Sequence, residues 1–184
     1  MRAPAVTLFL YAFTLACTAH AQPTASISVD AQPVLHLREG RVQGCGVRLT
    51  GGEAGKAASS WFDVSFNVFR RGVGIAQSIA YEIRRSEFEG DSHPSIVPVR
   101  STWLKAAEGS ARLGENTERR DTLIYTMVMD DVLVLFEALA RGEPLTIGIK
   151  RWGQRVDAVY TGAPVLSIES RNRISTCLED LALE

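Results

Sequence analysis

The chain has 184 residues, of which 22% are charged, and its formal net charge is −1. This length is enough for one domain with a sizeable hydrophobic core. The nearly balanced charge gives no electrostatic reason to expect nucleic acid or anionic lipid as a partner. After residue 21 no stretch approaches the ~18 consecutive apolar residues of a membrane-spanning helix, so we expect no membrane span.

Residues 1–21 have the pattern of a secretory signal peptide. Arg2 supplies the positive start, and the apolar stretch Val6–Cys17 is too short for a permanent anchor. Residues 19–21 fit a small-x-small cleavage site. We therefore expect a periplasmic or secreted protein. The alternative is a lipoprotein anchored at Cys17, although the aliphatic residue usual three places upstream is missing.

Two cysteines remain once the signal peptide is removed, Cys45 and Cys177. In an oxidising compartment a disulfide bond between them is expected. It would close a loop of about 130 residues, for which the chain-entropy model gives an upper value near 5 kcal/mol. The alternative is a pair of free thiols, one of them reactive.

The first segments of the mature chain divide into a leader and the start of a domain. Residues 22–33 are small and polar and contain proline, which indicates a leader or linker with one short strand at 26–30. A single globular domain is expected over 34–184. Strands are predicted at 34–37 and 41–49.

The clearest strand pattern lies in Trp61–Phe69, where apolar and polar residues alternate. A turn at Arg70-Arg71-Gly72 leads to Ile75–Ile83, so the two segments predict an antiparallel hairpin. The hairpin is followed by a loop at 88–95.

The middle of the chain is less regular. Residues 96–104 predict an edge or irregular strand because of Pro98. Residues 106–120 are charged, contain glycine and lack periodicity, which favours a mobile contact loop or a tolerated insertion. A strand is expected at 122–129.

The last third predicts two helices and a hairpin. One helix is expected near 132–141, ended by Gly142, and a hairpin follows over 145–160. The closing helix is predicted at 171–183, with Cys177 on its apolar stripe. The expected fold class is therefore α+β, with a mostly antiparallel sheet of six to eight strands and two helices packed on it.

Motifs for catalysis, metals and cofactors are missing from the sequence. His36 and His93 are the two histidines of the mature chain, and neither lies near a nucleophile elbow. Their carboxylate neighbours supply at most two ligands of a metal site, where zinc needs three or four. No glycine pattern fits a phosphate loop. We therefore predict no catalytic, metal or cofactor-binding residues.

A candidate binding surface is formed by large aromatic residues and arginines that are expected at strand ends and turns. Exposed aromatic side chains on the polar face of a hairpin are typical of a partner site or of a second covering layer. The candidate residues are Trp61, Phe69, Arg70, Arg71, Trp103 and Trp152.

The run Phe136–Gly142, followed by Leu145-Thr146-Ile147, a hairpin and a short closing helix, resembles the end of the invasion-associated locus B family of exported bacterial proteins. In that family an A-L-x-x-G-x-x-L-x-V segment precedes the hairpin and final helix. The similarity covers Leu135–Leu181, and the closing helix lacks the family's usual Gly-Phe start. The resemblance implies an exported, disulfide-bearing interaction module and assigns no functional residue.

These features together favour a non-enzymatic binding protein of the cell envelope, with a protein or glycan as its partner. One alternative is a hydrolase that acts on glycan with scattered carboxylates such as Asp63 or Glu82. A glycosidase would need two such carboxyl groups in one cleft. A secretion or assembly accessory role is the other alternative.

Overall fold

The computed structural model describes residues 24–55, 58–84, 94–106 and 109–182. These residues form eleven β-strands in two sheets and two α-helices. The strands are β1 (Thr24–Ser26), β2 (Val29–Arg38), β3 (Arg41–Ala54), β4 (Ala58–Phe69), β5 (Val73–Arg84), β6 (Pro94–Val97), β7 (Val99–Ala106), β8 (Gly109–Glu115), β9 (Thr122–Val128), β10 (Leu145–Arg151) and β11 (Ala158–Gly162). The helices are α1 (Met129–Ala140) and α2 (Ile168–Ala182). The predicted α+β class is confirmed, with more strands than the six to eight expected.

The larger sheet has the order β2-β3-β4-β5, and all its pairings are antiparallel. The predicted hairpin is confirmed as β4 and β5, which pair from Ala58 and Arg84 to Phe69 and Val73. The free edge of β5 is shared, because β9 pairs with Val73–Ile79 and β6 pairs with Ala80–Ile83.

The smaller sheet has the order β1-β11-β10-β7-β8, in which only the β1–β11 pairing is parallel. The chain passes from the larger sheet to the smaller one at Pro98, between β6 and β7. Proline cannot donate a backbone hydrogen bond, which suits a residue between two sheets. Its carbonyl instead accepts from the Trp152 N–H at 3.0 Å.

Two segments differ from the sequence expectation. Residues 24–33, predicted as part of a leader, supply β1 and half of β2, and Val29 and Ala31 are buried in the core. Residues 109–115, predicted within a mobile loop, form β8 against β7. Of these strands only β1 has a distant partner, β11, whereas β2 and β8 pair with neighbouring strands along the chain. Pro33 in β2 and the glycines in β8 interrupt the local strand pattern. The signal peptide and most of the loop at 88–95 lie outside the described residues.

The two faces of the larger sheet are set by strict alternation along its strands. Val47, Val64, Phe66 and Ala76 are among the fully buried residues of its inner face. Asp63, Ser65 and Asn67 point to the other side, which we call the outer face. The smaller sheet packs on this inner face, where the rings of Phe62 and Tyr160 are 5.1 Å apart. The α1 helix packs there as well, and the ring centres of Phe136 and Phe66 are 5.4 Å apart.

The ends of α1 are defined by local chemistry. It begins at Met129, earlier than predicted. Asp130 and Asp131 lie in its first turn, where negative charges interact favourably with the helix dipole. It ends in a Schellman motif, because the N–H groups of Gly142 and Glu143 donate to the carbonyls of Leu139 and Ala138 at 3.1 and 3.0 Å. Gly142 adopts a φ of 70°, as this motif requires.

The closing helix α2 is fixed to the inner face by the predicted disulfide bond. Cys45 and Cys177 are bonded, with their Cα atoms 5.9 Å apart. The apolar stripe predicted for α2 is confirmed, since Ile174 and Cys177 are buried and Leu178 and Leu181 pack against the core. The Ser167 hydroxyl accepts from the Ser170 N–H at 3.0 Å and starts the helix.

Truncation of the inner face should destabilise the domain. Phe66→Ala removes a fully buried ring and should lower the free energy of unfolding by about 3–5 kcal/mol. The matched control Ile124→Ala, on the outer face at 68% exposure, should change it by less than about 0.5 kcal/mol. Urea unfolding of both variants measures the difference. A loss under about 1 kcal/mol for Phe66→Ala would mean that the two faces are assigned the wrong way round.

Reduction of the disulfide bond should loosen α2 before it unfolds the β4–β5 hairpin. The helix is 15 residues long, which is marginal for a helix without packing, whereas the sheet keeps its own core. Hydrogen exchange on the reduced protein should show loss of protection over 168–182 first. Simultaneous loss in the helix and the hairpin would instead mean that they form one cooperative unit.

Candidate functional site

The predicted surface residues are divided between the two sheets. Trp61 and Phe69 lie at opposite ends of β4 on the outer face of the larger sheet. Arg70 and Arg71 form the turn after β4. Trp103 lies on β7 of the smaller sheet, and Trp152 lies in the turn after β10. The six residues therefore do not make one patch. Trp61 and Phe69 share the outer face, and the turn with Arg70 and Arg71 adjoins it at Phe69.

The outer face is shaped by glycines on β3. A side chain at Gly44, Gly46 or Gly52 would collide with atoms of Phe69, Asn67 or Trp61, respectively, because an added Cβ would lie within 2.0–2.6 Å of them. The large side chains of β4 thus lie flat over the glycines of the neighbouring strand. The side chains of β4 are therefore packed against the backbone of β3, and the surface they form is flat.

A polar and aromatic cluster fixes one end of this surface. The His36 Nε2 atom is 2.9 Å from the Asn67 Oδ1 atom, and the His36 ring lies 4.7 Å from the ring of Phe69. Asn67 is 5% exposed and also donates to the Ile75 carbonyl at 3.3 Å. Arg70 donates from Nε to the Val42 carbonyl at 2.8 Å, which ties the turn to β3.

The outer face has apolar side chains at both ends, and its middle combines a charged pair with the exposed Ile124. Trp61, Tyr81 and Ile96 lie side by side at one end, and Val73 and Val128 lie side by side at the other. The middle contains Arg48, whose Nε atom is 2.9 Å from both carboxylate oxygens of Asp63. The exposed fractions are 49% for Ile96, 66% for Val128 and 68% for Ile124.

The tryptophans of the smaller sheet are held by specific contacts. Trp103 lies over Gly148 of β10, where an added Cβ would be 2.0 Å from the indole ring. Its Nε1 atom donates to Asp157 Oδ2 at 2.8 Å. The Arg100 guanidinium lies 5.7 Å from the centre of the Trp152 ring, within range of a cation–π contact. Both side chains serve as anchors of the β10–β11 hairpin in this structure.

A second feature, which no local sequence pattern predicts, is a cleft of about 320 Å³ between the two sheets. It is lined by the last residues of β3, the first of β4, and the β10–β11 hairpin. The lining residues are Glu53, Ser60, Ile149, Arg151, Gln154, Val156, Asp157, Ala158, Val159 and Tyr160. Glu53 of the cleft lies on β3, eight residues after Cys45. The region around Cys45 is covered by α1 and α2. The cleft therefore lies at the opposite end of the interior from the helices.

Arg151 is the most unusual residue in the cleft. Its side chain is 11% exposed, and its Nη1 atom lies 3.9 Å from Glu82 Oε2. Its Nε atom is buried and has no hydrogen-bond partner among the described residues. A buried guanidinium with an unused donor is costly, so this arrangement is unusual for a purely structural residue.

Tyr160 lies beside this arginine and is 3% exposed. Burial raises the pKa of the Tyr160 hydroxyl, and Glu53 acts in the same direction. The charge of Arg151 and hydrogen bonds with Ser60 and Arg151 oppose the increase in the Tyr160 pKa. The hydroxyl is therefore neutral at physiological pH and lies within the electrostatic influence of one cation and one carboxylate.

The sequence contains a signal for this cleft. Along four strands the inward positions change from apolar to polar at the same end of the interior. Leu49 and Gly51 precede Glu53, Phe62 follows Ser60, Ala80 precedes Glu82, and Ile147 and Ile149 precede Arg151. Each change by itself is that of an ordinary strand end. Only the pairing of these strands shows that the polar ends converge.

The carboxylates considered for glycan hydrolysis do not act as a pair. Asp63 lies on the outer face with Arg48, whereas Glu82 lies on the inner face near Arg151. Two catalytic carboxyl groups must flank one bond in a common cleft. The sheet separates Asp63 from Glu82, so they cannot perform this chemistry together.

Within the described ranges, no three His, Cys, Asp or Glu side chains are grouped to hold a metal ion. His93 lies outside those ranges. No helix in the described part of the chain is long and apolar enough to cross a membrane. No protein-family model and no curated protein sequence matches the chain.

The raised pKa of Tyr160 gives an alkaline test of the cleft. Because the unfolded chain releases the phenolic proton first, the stability contributed by this residue is present below about pH 10 and lost as the pH rises further. Titration by phenolate absorbance should show a late component that Tyr160→Phe removes. The control Tyr125→Phe, at an exposed position, should keep that component. A late component unchanged in Tyr160→Phe would contradict this assignment.

Proposed function

We propose that this chain is an exported, non-enzymatic binding protein that engages a protein of the cell envelope through the outer face of its larger sheet. The observation that carries the proposal is that the helices and the smaller sheet occupy the inner face, while large apolar side chains remain exposed on the outer face. Exposed apolar surface of this extent is typical of an interaction site.

The dimensions of the outer face suit a protein partner. Five strand widths and about 35 Å of strand length give an area on the order of 800 Å². A standard protein–protein interface buries about 800 Å² on each partner. The tryptophan and isoleucine at one end and the two valines at the other can act as anchors, with the Arg48–Asp63 pair between them for orientation.

Export is supported by three features of the chain. The first 21 residues have a signal-peptide pattern, the two mature cysteines are bonded, and the described helices include no membrane span. The resemblance of Leu135–Leu181 to the invasion-associated locus B family agrees with an exported interaction module. The mature protein is expected in the periplasm or the medium.

The test uses matched serine substitutions in the purified mature protein. Val128→Ser on the outer face and Val165→Ser outside it remove the same side chain from positions that are 66% and 78% exposed. Each variant and wild-type protein is immobilised and exposed to an envelope extract, and the affinity for any captured protein is then measured. Trp61→Ser is included as the strongest expected disruption.

We expect Trp61→Ser and Val128→Ser to weaken binding of the same captured protein, by about 10-fold or more for the tryptophan. Val165→Ser should bind like wild type. Circular dichroism should be unchanged in all three variants. The thermal midpoint should be unchanged in Val165→Ser and equal or higher in Val128→Ser, because serine at the residue before α1 can cap the helix. It should be lower in Trp61→Ser, because Trp61 is 41% exposed and packs over Gly52, so its binding is measured well below that midpoint. Equal binding by every variant, or selective binding of a glycan instead of a protein, would refute the proposed use of this face.

A further inference from the structure

The cleft between the two sheets has the composition of a ligand site, and this inference is independent of the outer-face proposal. Its volume of about 320 Å³ lies at the small end of the range for ligand-binding sites in proteins. A cleft of this volume suits a small molecule or the end group of a larger one. Both sheets contribute side chains, so a molecule in the cleft would contact the two layers at once.

The inner end of the cleft offers a planar cationic donor. The Arg151 guanidinium is largely buried, and its Nε atom has no acceptor among the described residues. The nearest carboxylate contact of Arg151 is with Glu82, at 3.9 Å. Guanidinium groups bind carboxylates through parallel N–H donors, so the unused donor of Arg151 fits an acid group on a ligand.

The rim of the same cleft has the opposite charge. Glu53 is exposed at the end of β3, and its charge acts on the Tyr160 hydroxyl, as does that of Arg151. Asp157 lines the cleft too, although one of its oxygens already accepts from Trp103 Nε1. A simple anion would meet both rim carboxylates, and a simple cation would meet Arg151.

We propose that this cleft binds a small zwitterion of the amino-acid or dipeptide class. The ligand carboxylate would pair with Arg151, and its ammonium group would lie at the rim near Glu53. The Tyr160 and Ser60 hydroxyls and Gln154 supply neutral hydrogen-bonding groups between the two charges. Ile149, Val156 and Ala158 form an apolar wall that suits a short side chain.

The experiment measures saturable binding by calorimetry and by the shift in thermal midpoint. The zwitterionic probes are glycine, L-alanine, D-alanine and alanyl-alanine. Propionate carries only the acid group, ethylamine carries only the ammonium group, and N-acetylglucosamine is a neutral control. We expect at least one zwitterion to bind, and each single-charge probe to bind at least about 10-fold more weakly, because either charge alone leaves one side of the cleft unpaired.

Variants separate the two ends of the cleft. Arg151→Gln should weaken binding of the zwitterion by about 10-fold or more. Because that residue is buried and the variant can be unstable, Glu53→Gln provides a second test at an exposed position. Glu53→Gln should weaken zwitterion binding and leave propionate binding unchanged or stronger. The matched control Glu179→Gln, an exposed residue of α2, should behave like wild type.

Three outcomes would overturn the proposal. One is the lack of a saturable signal with any zwitterion up to about 10 mM. Another is equal binding of propionate or ethylamine, or preference for the neutral sugar, which would assign the cleft to a different ligand class. The third is equal behaviour of Glu53→Gln and Glu179→Gln. The Trp61 and Val128 variants of the outer face should bind the zwitterion like wild type, so the two proposals fail separately.

Discussion

The inner face of the larger sheet must be kept from water along strands of up to fourteen residues, about 46 Å at the usual rise per residue. Two different layers share this length. The helices α1 and α2 cover the end near Cys45, and the smaller sheet covers the region around Phe62. At the far end of the two sheets the inward residues become polar, and the cleft around Arg151 lies between the sheets there. The position of the cleft thus follows from where the apolar covering ends.

The disulfide bond holds α2, the element that depends most on contacts with the rest of the domain, to the larger sheet. The helix α2 has few buried side chains of its own, and two of them are Ile174 and Cys177. The bond to Cys45 places these residues on the inner face, next to α1. The outer face has no such covering among the described residues, and its glycines let aromatic side chains lie flat over β3.

Sequence patterns predicted the parts of the fold that are locally encoded. Alternation in Trp61–Phe69 gave the β4–β5 hairpin, a 3.6-residue repeat gave α2, and Gly142 gave the end of α1. Residues 24–26 were misassigned because their pairing partner β11 is distant in the sequence. Residues 29–33 and 109–115 pair with neighbouring strands, but proline in the first and glycine in the second obscure the strand pattern. Division into two sheets at Pro98 was also beyond local reasoning, since a proline indicates only that regular pairing stops there.

The candidate site shows the same limit more strongly. Trp61 and Phe69 were placed on the outer side of the hairpin from alternation alone, and the structure agrees. The cleft was missed because Glu53, Ser60, Glu82 and Arg151 are far apart in the sequence and each resembles an ordinary strand end. Their convergence requires the register of both sheets. Asp63 and Glu82 looked equivalent on the hairpin. Asp63 pairs with Ile79, and Glu82 lies three residues further along β5, so the alternation of side chains puts the two carboxylates on opposite faces.

The parallel pairing of β1 with β11 has a consequence for the order of events in time. Thr24 pairs with Val159, so the first strand has no partner until nearly the whole chain is present. The bond between Cys45 and Cys177 imposes the same delay at a separation of 132 residues. A chain that emerges from its N-terminus can form the β2–β5 meander early, but the smaller sheet must wait for β10 and β11. Late closure of distant pairs slows folding and leaves strand edges open to aggregation until β10 and β11 are present.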